Sequence, residues 1–319
     1  MLAARLIPSA VLTWTLYALP LASAQPTLAE KLIDAGHWKR ARALVEARLH
    51  EAPEDALSTF LLSQIRAAFG DRESPLPLAE KAVALDPATA KYHRQAAEVL
   101  GILAQHSNLL QQLVLARRFR KELDTALALD GRDPQALRDL MEYYLLAPGV
   151  AGGDARKAAE IAARLAAIDA CEGWMAQARL AEVRKDAAAR QAFARRAVEA
   201  QPQNYRARML LARLTRAEED ARAALELDPG RVDAYSLLAS IYARRGAWSE
   251  LDSTLAAASR EVPGDATPFY RAAEQLMAGA SQPERVRRYL RIYLAQPSEG
   301  NEPTAAQAEA QFNQCEKLR

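Results

Sequence analysis

Nonpolar residues recur at helical spacing along most of the chain, and short turns interrupt them at regular intervals. The clearest segment is 231–263. Its first half contains four nonpolar residues at positions i, i+3, i+4 and i+7, which share one helix face: Tyr235, Leu238, Ala239 and Tyr242. A glycine, Gly246, then ends this helix, and a second nonpolar series follows at three- and four-residue steps before Pro263. The segment therefore predicts two helices joined by a short corner.

Prolines end these predicted helix pairs at a repeated interval. Pro53 and Pro87 are 34 residues apart, and the same interval separates Pro229 from Pro263 and Pro263 from Pro297. A repeat of this length that contains two helices is typical of helical repeat proteins. One such hairpin cannot bury its nonpolar face alone, so successive hairpins must pack against each other.

Segment 231–263 resembles the tetratricopeptide repeat (TPR) family in the order of its residues. It has a large aromatic residue, a leucine beside a small residue, a tyrosine, a glycine corner and a closing proline. It departs from the family at Leu251, where alanine is usual. The resemblance implies an all-α fold, a right-handed α-solenoid of about seven to eight helical hairpins whose first helices line a concave face.

We expect the solenoid to occupy residues 25–302. Its units are predicted at about 27–53, 54–87, 88–131, 132–170, 171–202, 203–229, 230–263 and 264–297. The third unit exceeds the repeat length, which predicts two long helices, Ala90–Gln105 and Leu109–Leu129. Residues 70–77 are expected to form the loop inside the second unit. Residues 303–319 are expected to contain a C-terminal capping helix, Ala305–Lys317.

The first 24 residues are typical of a secretory signal peptide. Arg5 is the only charged residue among them, a nonpolar stretch extends from Leu6 to Leu21, and small residues precede the expected cleavage site after Ala24. Two prolines interrupt the nonpolar stretch, which is also short for a membrane span, so an uncleaved anchor is disfavoured. We therefore expect an exported protein, periplasmic or secreted, with no stable membrane insertion after cleavage.

The composition supports a folded helical protein and excludes some functions. Half of the 319 residues are hydrophobic and 26% are charged, which is unlike a disordered chain. The 42 basic and 40 acidic side chains nearly cancel, so nucleic acid is not an expected partner. Cys171 and Cys315 would lie several units apart in a linear stack, and we expect two free thiols rather than a disulfide.

The sequence contains no recognisable metal-binding or catalytic motif. The four histidines lack the spacing of zinc ligands: His37, His50, His93 and His106. The glycine-rich segment 149–157 lacks the Gly-Lys-Ser/Thr sequence of a phosphate-binding loop, and Asp154 is expected to cap the helix that follows it. We therefore expect no enzyme activity, no metal and no cofactor. An active site on this corner is the alternative.

Arginine-rich clusters lie on the predicted second helices, which usually face the convex side in the family. Their members are Arg117, Arg118, Arg120 and Lys121, then Arg195 and Arg196, and finally Arg285, Arg287, Arg288 and Arg291. They are interpreted as solvated helix faces, with acidic partners or anionic lipids as the alternative.

The candidates for partner binding lie on first helices in the middle of the predicted stack. They are polar-tipped aromatic residues and neighbouring glutamines: Tyr92, Gln95, Tyr143, Tyr144, Trp174 and Gln177. A role in core packing is the alternative interpretation of each.

The resulting hypothesis is a non-enzymatic scaffold or adaptor that holds a protein or peptide partner in its concave groove. The alternative is a small-ligand-binding accessory component of an envelope transport system, with its pocket between the third and fourth units.

Overall fold

The structure is a computed structural model that describes residues 27–300 and 303–317, so the expected signal peptide lies outside the described residues. Over these ranges the chain is all-α, as predicted, with seventeen α-helices and one short 3-10 turn, Gly149–Ala151. The helices are α1 (Leu28–Asp34), α2 (Trp38–Glu51), α3 (Ala56–Ala68), α4 (Pro75–Leu85), α5 (Ala90–Gln105), α6 (Leu109–Leu129), α7 (Pro134–Leu146), α8 (Ala155–Ile168), α9 (Ala170–Val183), α10 (Ala187–Ala200), α11 (Tyr205–Thr215), α12 (Glu218–Leu227), α13 (Val232–Arg245), α14 (Trp248–Glu261), α15 (Thr267–Ala278), α16 (Pro283–Leu294) and α17 (Ala305–Lys317).

Helices α1 to α16 pack as eight consecutive hairpins, and α17 packs against α16. The helix face predicted for segment 231–263 is confirmed, because all four of its nonpolar residues on α13 are buried. The core passes from each hairpin to the next. In the C-terminal half, one cluster of buried residues extends from Met209 to Cys315. Because neighbouring hairpins share their nonpolar faces in this way, the structure is an α-solenoid.

Short polar side chains define where many of the helices begin. These residues precede a helix and accept hydrogen bonds from N–H groups of its first turn: Asp55, Asn108, Asp133, Asp154, Asp169, Asp186 and Asn204. Gly246 ends α13 with a φ of +68°, in agreement with the predicted corner. The loop expected at 70–77 is shorter than predicted. Pro75 opens α4 there, because the first position of a helix does not need its N–H group.

The third hairpin is longer than its neighbours, and both of its helices have the predicted bounds, Ala90–Gln105 and Leu109–Leu129. The end of α5 and the start of α6 lie beside residues 147–153, which connect α7 to α8. We call residues 147–153 the corner. The long hairpin and the corner together enlarge the solenoid between its third and fourth hairpins.

The first hairpin contacts the segment that follows the last one. The Lys39 ammonium lies 3.1 Å from a carboxylate oxygen of Glu299. It also donates hydrogen bonds to the carbonyl oxygens of Gly264 and Pro297 at 2.6 and 2.7 Å. The backbone N–H of Lys39 donates to Glu299 at 2.9 Å. The solenoid therefore curves far enough for its first hairpin to contact the segment that follows its last one.

One member of the arginine clusters does not lie on a solvated surface. Arg287 is 6% exposed, and its guanidinium lies 3.8 Å from a carboxylate oxygen of Glu316 on α17. The interpretation of Arg287 as solvated is wrong, because α17 covers this face of α16. Arg117, Arg195 and Arg196 are exposed, as expected.

Candidate functional site

The first helices of successive hairpins are joined by charged side chains. Arg138 on α7 lies 2.7 Å from Glu172 on α9, and Glu172 also binds Arg206 on α11 at 2.8 Å. Glu142 on α7 accepts two hydrogen bonds from Arg179 on α9, at 2.6 and 2.8 Å. All five residues lie on first helices. They form the lining of the face that we call the concave groove.

A cavity of about 430 Å³ opens between the third and fourth hairpins. Parts of α5, α6, α7 and the corner form its walls. Six of the larger side chains in its lining are nonpolar or aromatic: Ile102, Leu109, Leu113, Phe119, Tyr143 and Leu146. A volume of this size is within the range of ligand pockets, about 300–1,000 Å³. We call it the corner cavity.

Two glycines allow the corner to form one wall of the corner cavity. Gly152 has a φ of +97°, and a Cβ at this position would lie 2.7 Å from the hydroxyl oxygen of Tyr143. A Cβ on Gly153 would lie 1.8 Å from the carbonyl oxygen of Ala147. The Tyr143 hydroxyl donates a hydrogen bond to the carbonyl of Ala151. Glycine is therefore required at both positions for the corner to approach α7 this closely.

Three carboxylates line the corner cavity: Glu98, Asp139 and Glu142. Glu142 is neutralised by Arg179. Glu98 and Asp139 form no hydrogen bond or ion pair within the described ranges, and we call them the acidic pair. Burial raises the pKa of the Asp139 carboxyl to about 7, and repulsion from Glu98 adds to this shift. Partial loss of solvent around its carboxyl also raises the pKa of Glu98, although the residue as a whole is exposed.

The nearby charges do not offset the effect of burial on the pKa of Asp139. The guanidinium groups of Arg94 and Arg138 lower its pKa by attraction, while the carboxylate of Asp133 raises it. Arg94 is directed to Asp133 at 3.5 Å, and Arg138 is paired with Glu172. Arg94 is only partly paired, because two of its buried guanidinium nitrogens form no hydrogen bond with the described residues, so it remains a cation that attracts both members of the acidic pair.

A second cavity of about 430 Å³ lies farther along the concave groove, between α7, α9 and α11. Five arginines line it: Arg138, Arg179, Arg206, Arg213 and Arg231. Only two carboxylates share this lining, those of Glu142 and Asp233. Burial lowers the pKa of Arg206, and repulsion from Arg138 contributes. Four of these arginines are ion-paired with Glu172, Glu142 or Asp233, so the excess of positive charge here is small. We call this site the arginine cavity, and its charge differs in sign from that of the acidic pair at the corner cavity.

The residues predicted for partner binding fall into two groups. Three of them belong to the core: Tyr92 (5% exposed), Gln95 (1%) and Tyr144 (8%). The other three are partly exposed: Tyr143, Trp174 and Gln177. Tyr143 lines the corner cavity and stacks on Phe119, with 5.3 Å between the ring centroids. Trp174 stacks on Phe193 of α10 at 5.9 Å.

Sequence reasoning missed the charged residues of the groove because it selected aromatic side chains. The acidic pair lies at unremarkable sequence positions, and only the packing of α5 against α7 brings Glu98 near Asp139. A detectable signal was present in the spacing of charge along the first helices. Arg138, Glu142, Glu172 and Arg179 stand on successive first helices at the matching turns that the structure joins.

Other potential chemistry in the described part of the chain has a structural explanation. His93 Nδ1 lies 2.7 Å from Glu122, so this histidine joins α5 to α6. The Asp154 side chain caps α8, as predicted, and occupies the amides that a phosphate would need.

Among the described residues, no three His, Cys, Asp or Glu side chains are placed to hold a metal. No described helix has the length and nonpolar character needed to cross a bilayer. Cys171 and Cys315 are free and buried, as predicted.

No protein-family model matches the sequence, and no curated protein matches it. A thermophilic TPR protein of Thermus thermophilus is structurally similar, with a TM-score of 0.52 and 19% sequence identity over 60% of this chain and 96% of that chain. A TPR protein of Parabacteroides merdae ATCC 43184 is similar over 90% of this chain and 96% of that chain, with a TM-score of 0.42 and 11% identity. At such identity the likeness to the first protein shows the fold alone. The chain thus has the all-helical solenoid fold of the tetratricopeptide repeat proteins.

Proposed function

We propose that the protein is a non-enzymatic scaffold or adaptor that holds a segment of a partner protein in its concave groove. The observation that supports this most is the uneven charge of the groove. Five arginines surround the arginine cavity, while the acidic pair lies at the corner cavity. A surface that presents both signs of charge at separate places favours one partner orientation over the reverse.

The test is the capture of a partner by the protein without its signal segment, from an extract of cell envelopes after mild cross-linking. Arg206 and Arg213 on α11 have side chains that are 46% and 58% exposed, so their removal changes the groove with little loss of core. The double variant Arg206→Ala with Arg213→Ala should capture much less of the partner. A partner whose carboxylates bind Arg206 and Arg213 would lose two charge-assisted hydrogen bonds.

The matched control is the double variant Arg117→Ala with Arg195→Ala, which removes two exposed arginines from the second helices α6 and α10. It should capture as much partner as the unchanged protein does. Circular dichroism of both variants checks that the solenoid is retained. Equal capture by the two double variants, or no stoichiometric partner with any of them, would contradict the proposal.

We also propose that the protein is exported to the periplasm or secreted, which the signal-like sequence of residues 1–24 supports. Cleavage after Ala24 should leave Gln25 as the first residue. Mass spectrometry of the protein from a periplasmic or culture fraction measures this directly. Recovery of the full-length chain from the cytoplasm alone would count against export.

A second candidate function is the binding of a small ligand as part of a transport system. The corner cavity supports it, because it lies where the two enlarged units meet and has the volume of a ligand pocket. A ligand that binds only the folded state raises the melting temperature by mass action. A metabolite panel that produces no rise at saturating concentration would remove this candidate.

A further inference from the structure

Most of the residues that line the corner cavity are nonpolar, and this nonpolar surface ends at the mouth of the cavity. Leu109 and Leu146 line the cavity and yet are 62% and 61% exposed, so they lie where it opens to solvent. Leu110 and Val114 are also exposed, but they project from the opposite face of α6. The continuous nonpolar surface is therefore confined to the cavity and its mouth, and a small molecule is enough to cover it.

The volume of the corner cavity sets the size of this molecule. A nonpolar cavity of about 150 Å³ holds one benzene ring, so a cavity of about 430 Å³ has room for about three rings or for an alkyl chain of similar volume. The stacked rings of Phe119 and Tyr143 would form one wall around it. Removal of its nonpolar surface from water supplies the attraction.

The polar groups of the lining do not require a polar occupant. Some buried polar side-chain atoms of the described residues have no hydrogen-bond partner, but none of these atoms belongs to the lining of the corner cavity. The Tyr143 hydroxyl donates to the carbonyl of Ala151, and the Gln112 amide donates to the carbonyl of Ser107 at 2.9 Å. Both groups keep these partners when a nonpolar molecule displaces water from the cavity.

The charges at one end of the corner cavity oppose a ligand of either sign. Glu98 and Asp139 are the first lining residues of α5 and α7, and their carboxyls repel each other. An anion would add to this repulsion, and no described residue of the lining is a cation. Arg94, one turn before Glu98 on α5, already attracts both carboxyls and would repel an incoming cation.

We infer that the corner cavity binds an uncharged, mainly nonpolar small molecule, either an alkyl chain or a system of about two or three rings. The nonpolar body of the molecule fills the cavity against Phe119 and Tyr143, and its mouth end covers Leu109 and Leu146. This inference deepens the second candidate function, small-ligand binding, and rests on it, because it names the class of ligand. It does not depend on the scaffold function.

Fluorescence titration with N-phenyl-1-naphthylamine tests the inference, because this uncharged probe has a ring system of the estimated size and becomes brighter in nonpolar surroundings. It should bind saturably, at one site per chain. Three competitors with the same dodecyl chain then separate the effect of charge: 1-dodecanol, dodecanoate and dodecylammonium. Dodecanol should displace the probe at a concentration at least about tenfold lower than either ion, since burial of an unpaired charge is costly.

Two substitutions on α6 locate the site. Ala116→Phe places a ring in the cavity from a partly exposed lining position, and the clash should weaken binding of the probe at least about tenfold. Ala128→Phe, at an exposed position of α6 outside the lining, is the matched control and should leave binding unchanged. The melting temperatures of both variants check that they are folded.

Removal of the acidic pair should weaken the selection against anions. With the double variant Glu98→Gln and Asp139→Asn, dodecanoate should displace the probe at a concentration at least about tenfold lower than with the unchanged protein, because a repulsion is lost while Arg94 remains. Dodecanol should compete as before. Unfolding cannot produce such a gain of binding. Glu160→Gln removes an exposed carboxylate from α8 and should not change competition by dodecanoate.

Three outcomes would overturn the inference. The first is displacement by dodecanoate or dodecylammonium at the concentration that dodecanol needs, which would leave small-ligand binding standing with a ligand of another class. The second is binding of the probe that Ala116→Phe does not change, which would place the probe outside the corner cavity. The third is no binding of the probe and no rise in melting temperature with dodecanol. This last result would also count against the small-ligand function and would leave the scaffold function standing.

Discussion

Gly173 offers a sharp test of the packing between the fourth and fifth hairpins. It lies in the interior of α9, where glycine normally destabilises a helix by about 0.5–1 kcal/mol relative to alanine. Helix propensity alone therefore predicts that Gly173→Ala stabilises the protein. The structure predicts the opposite. A Cβ at this position would lie 2.4 Å from the Cβ and 2.5 Å from the Cα of Ala166 on α8.

Nonbonded carbon atoms prefer about 3.5–4.0 Å, so α8 and α9 would have to separate by about 1 Å. Overpacking of this kind costs about 1–3 kcal/mol. We expect the upper end, about 3 kcal/mol, because the Ala166 Cα belongs to the backbone and cannot rotate away. After the propensity gain of about 1 kcal/mol, Gly173→Ala should lower the free energy of unfolding by about 2 kcal/mol.

The matched control is Gly101→Ala, in the interior of α5. A Cβ there would lie 3.3 and 3.4 Å from two ring atoms of Phe119, and this ring borders the corner cavity and can shift. The control has the same gain in helix propensity, so its stability should stay within about 1 kcal/mol of the unchanged protein. Urea denaturation followed by circular dichroism measures both variants. A Gly173→Ala variant that is as stable as the unchanged protein, or more stable, would show that α8 and α9 accommodate the added Cβ.

Two further predictions concern charge. The pKa of Asp139 rises from 3.8 to about 7 on folding, so the folded protein holds a proton that the unfolded chain releases between these values. Stability should therefore fall as the pH rises from about 4 to about 7, and Asp139→Asn should flatten this fall in urea denaturation across that range; equal slopes would contradict it. Lys39→Ala removes the ion pair with Glu299 and should open the contact between the two ends of the solenoid. Small-angle X-ray scattering should then show a larger radius of gyration, at a loss of only about 1 kcal/mol in stability, and an unchanged scattering profile would refute it.

Much of the helical structure was predictable because it depends on local interactions. The predicted bounds of α5, α6 and α17 agree with the structure, in which the Asn108 side chain caps α6 at its predicted start. The start of α4 was misplaced, since a proline can either end a loop or open a helix and the local sequence does not separate the two cases. Arg287 was misjudged because its burial depends on α17, which is distant in sequence.

The candidate site was less predictable, because its residues come from helices that are far apart in the chain. Tyr92, Gln95 and Tyr144 have the chemistry of interface residues, but the packing of each hairpin on the next buries them. A cavity between the third and fourth units was an alternative raised by their unusual length. The two carboxylates in its lining were not predicted, because Glu98 and Asp139 are far apart in the sequence and only the fold brings them together.

The sequence by itself determined the helical repeats, since the spacing of nonpolar side chains and the positions of proline and glycine act within a few turns of backbone. Tertiary structure decided how far the stack curves. The meeting of Lys39 with Glu299 depends on small packing angles between hairpins, and these angles accumulate over the whole chain. Tertiary structure also decided which charges face one another across the groove, because electrostatic interactions act through space between residues that no local pattern connects.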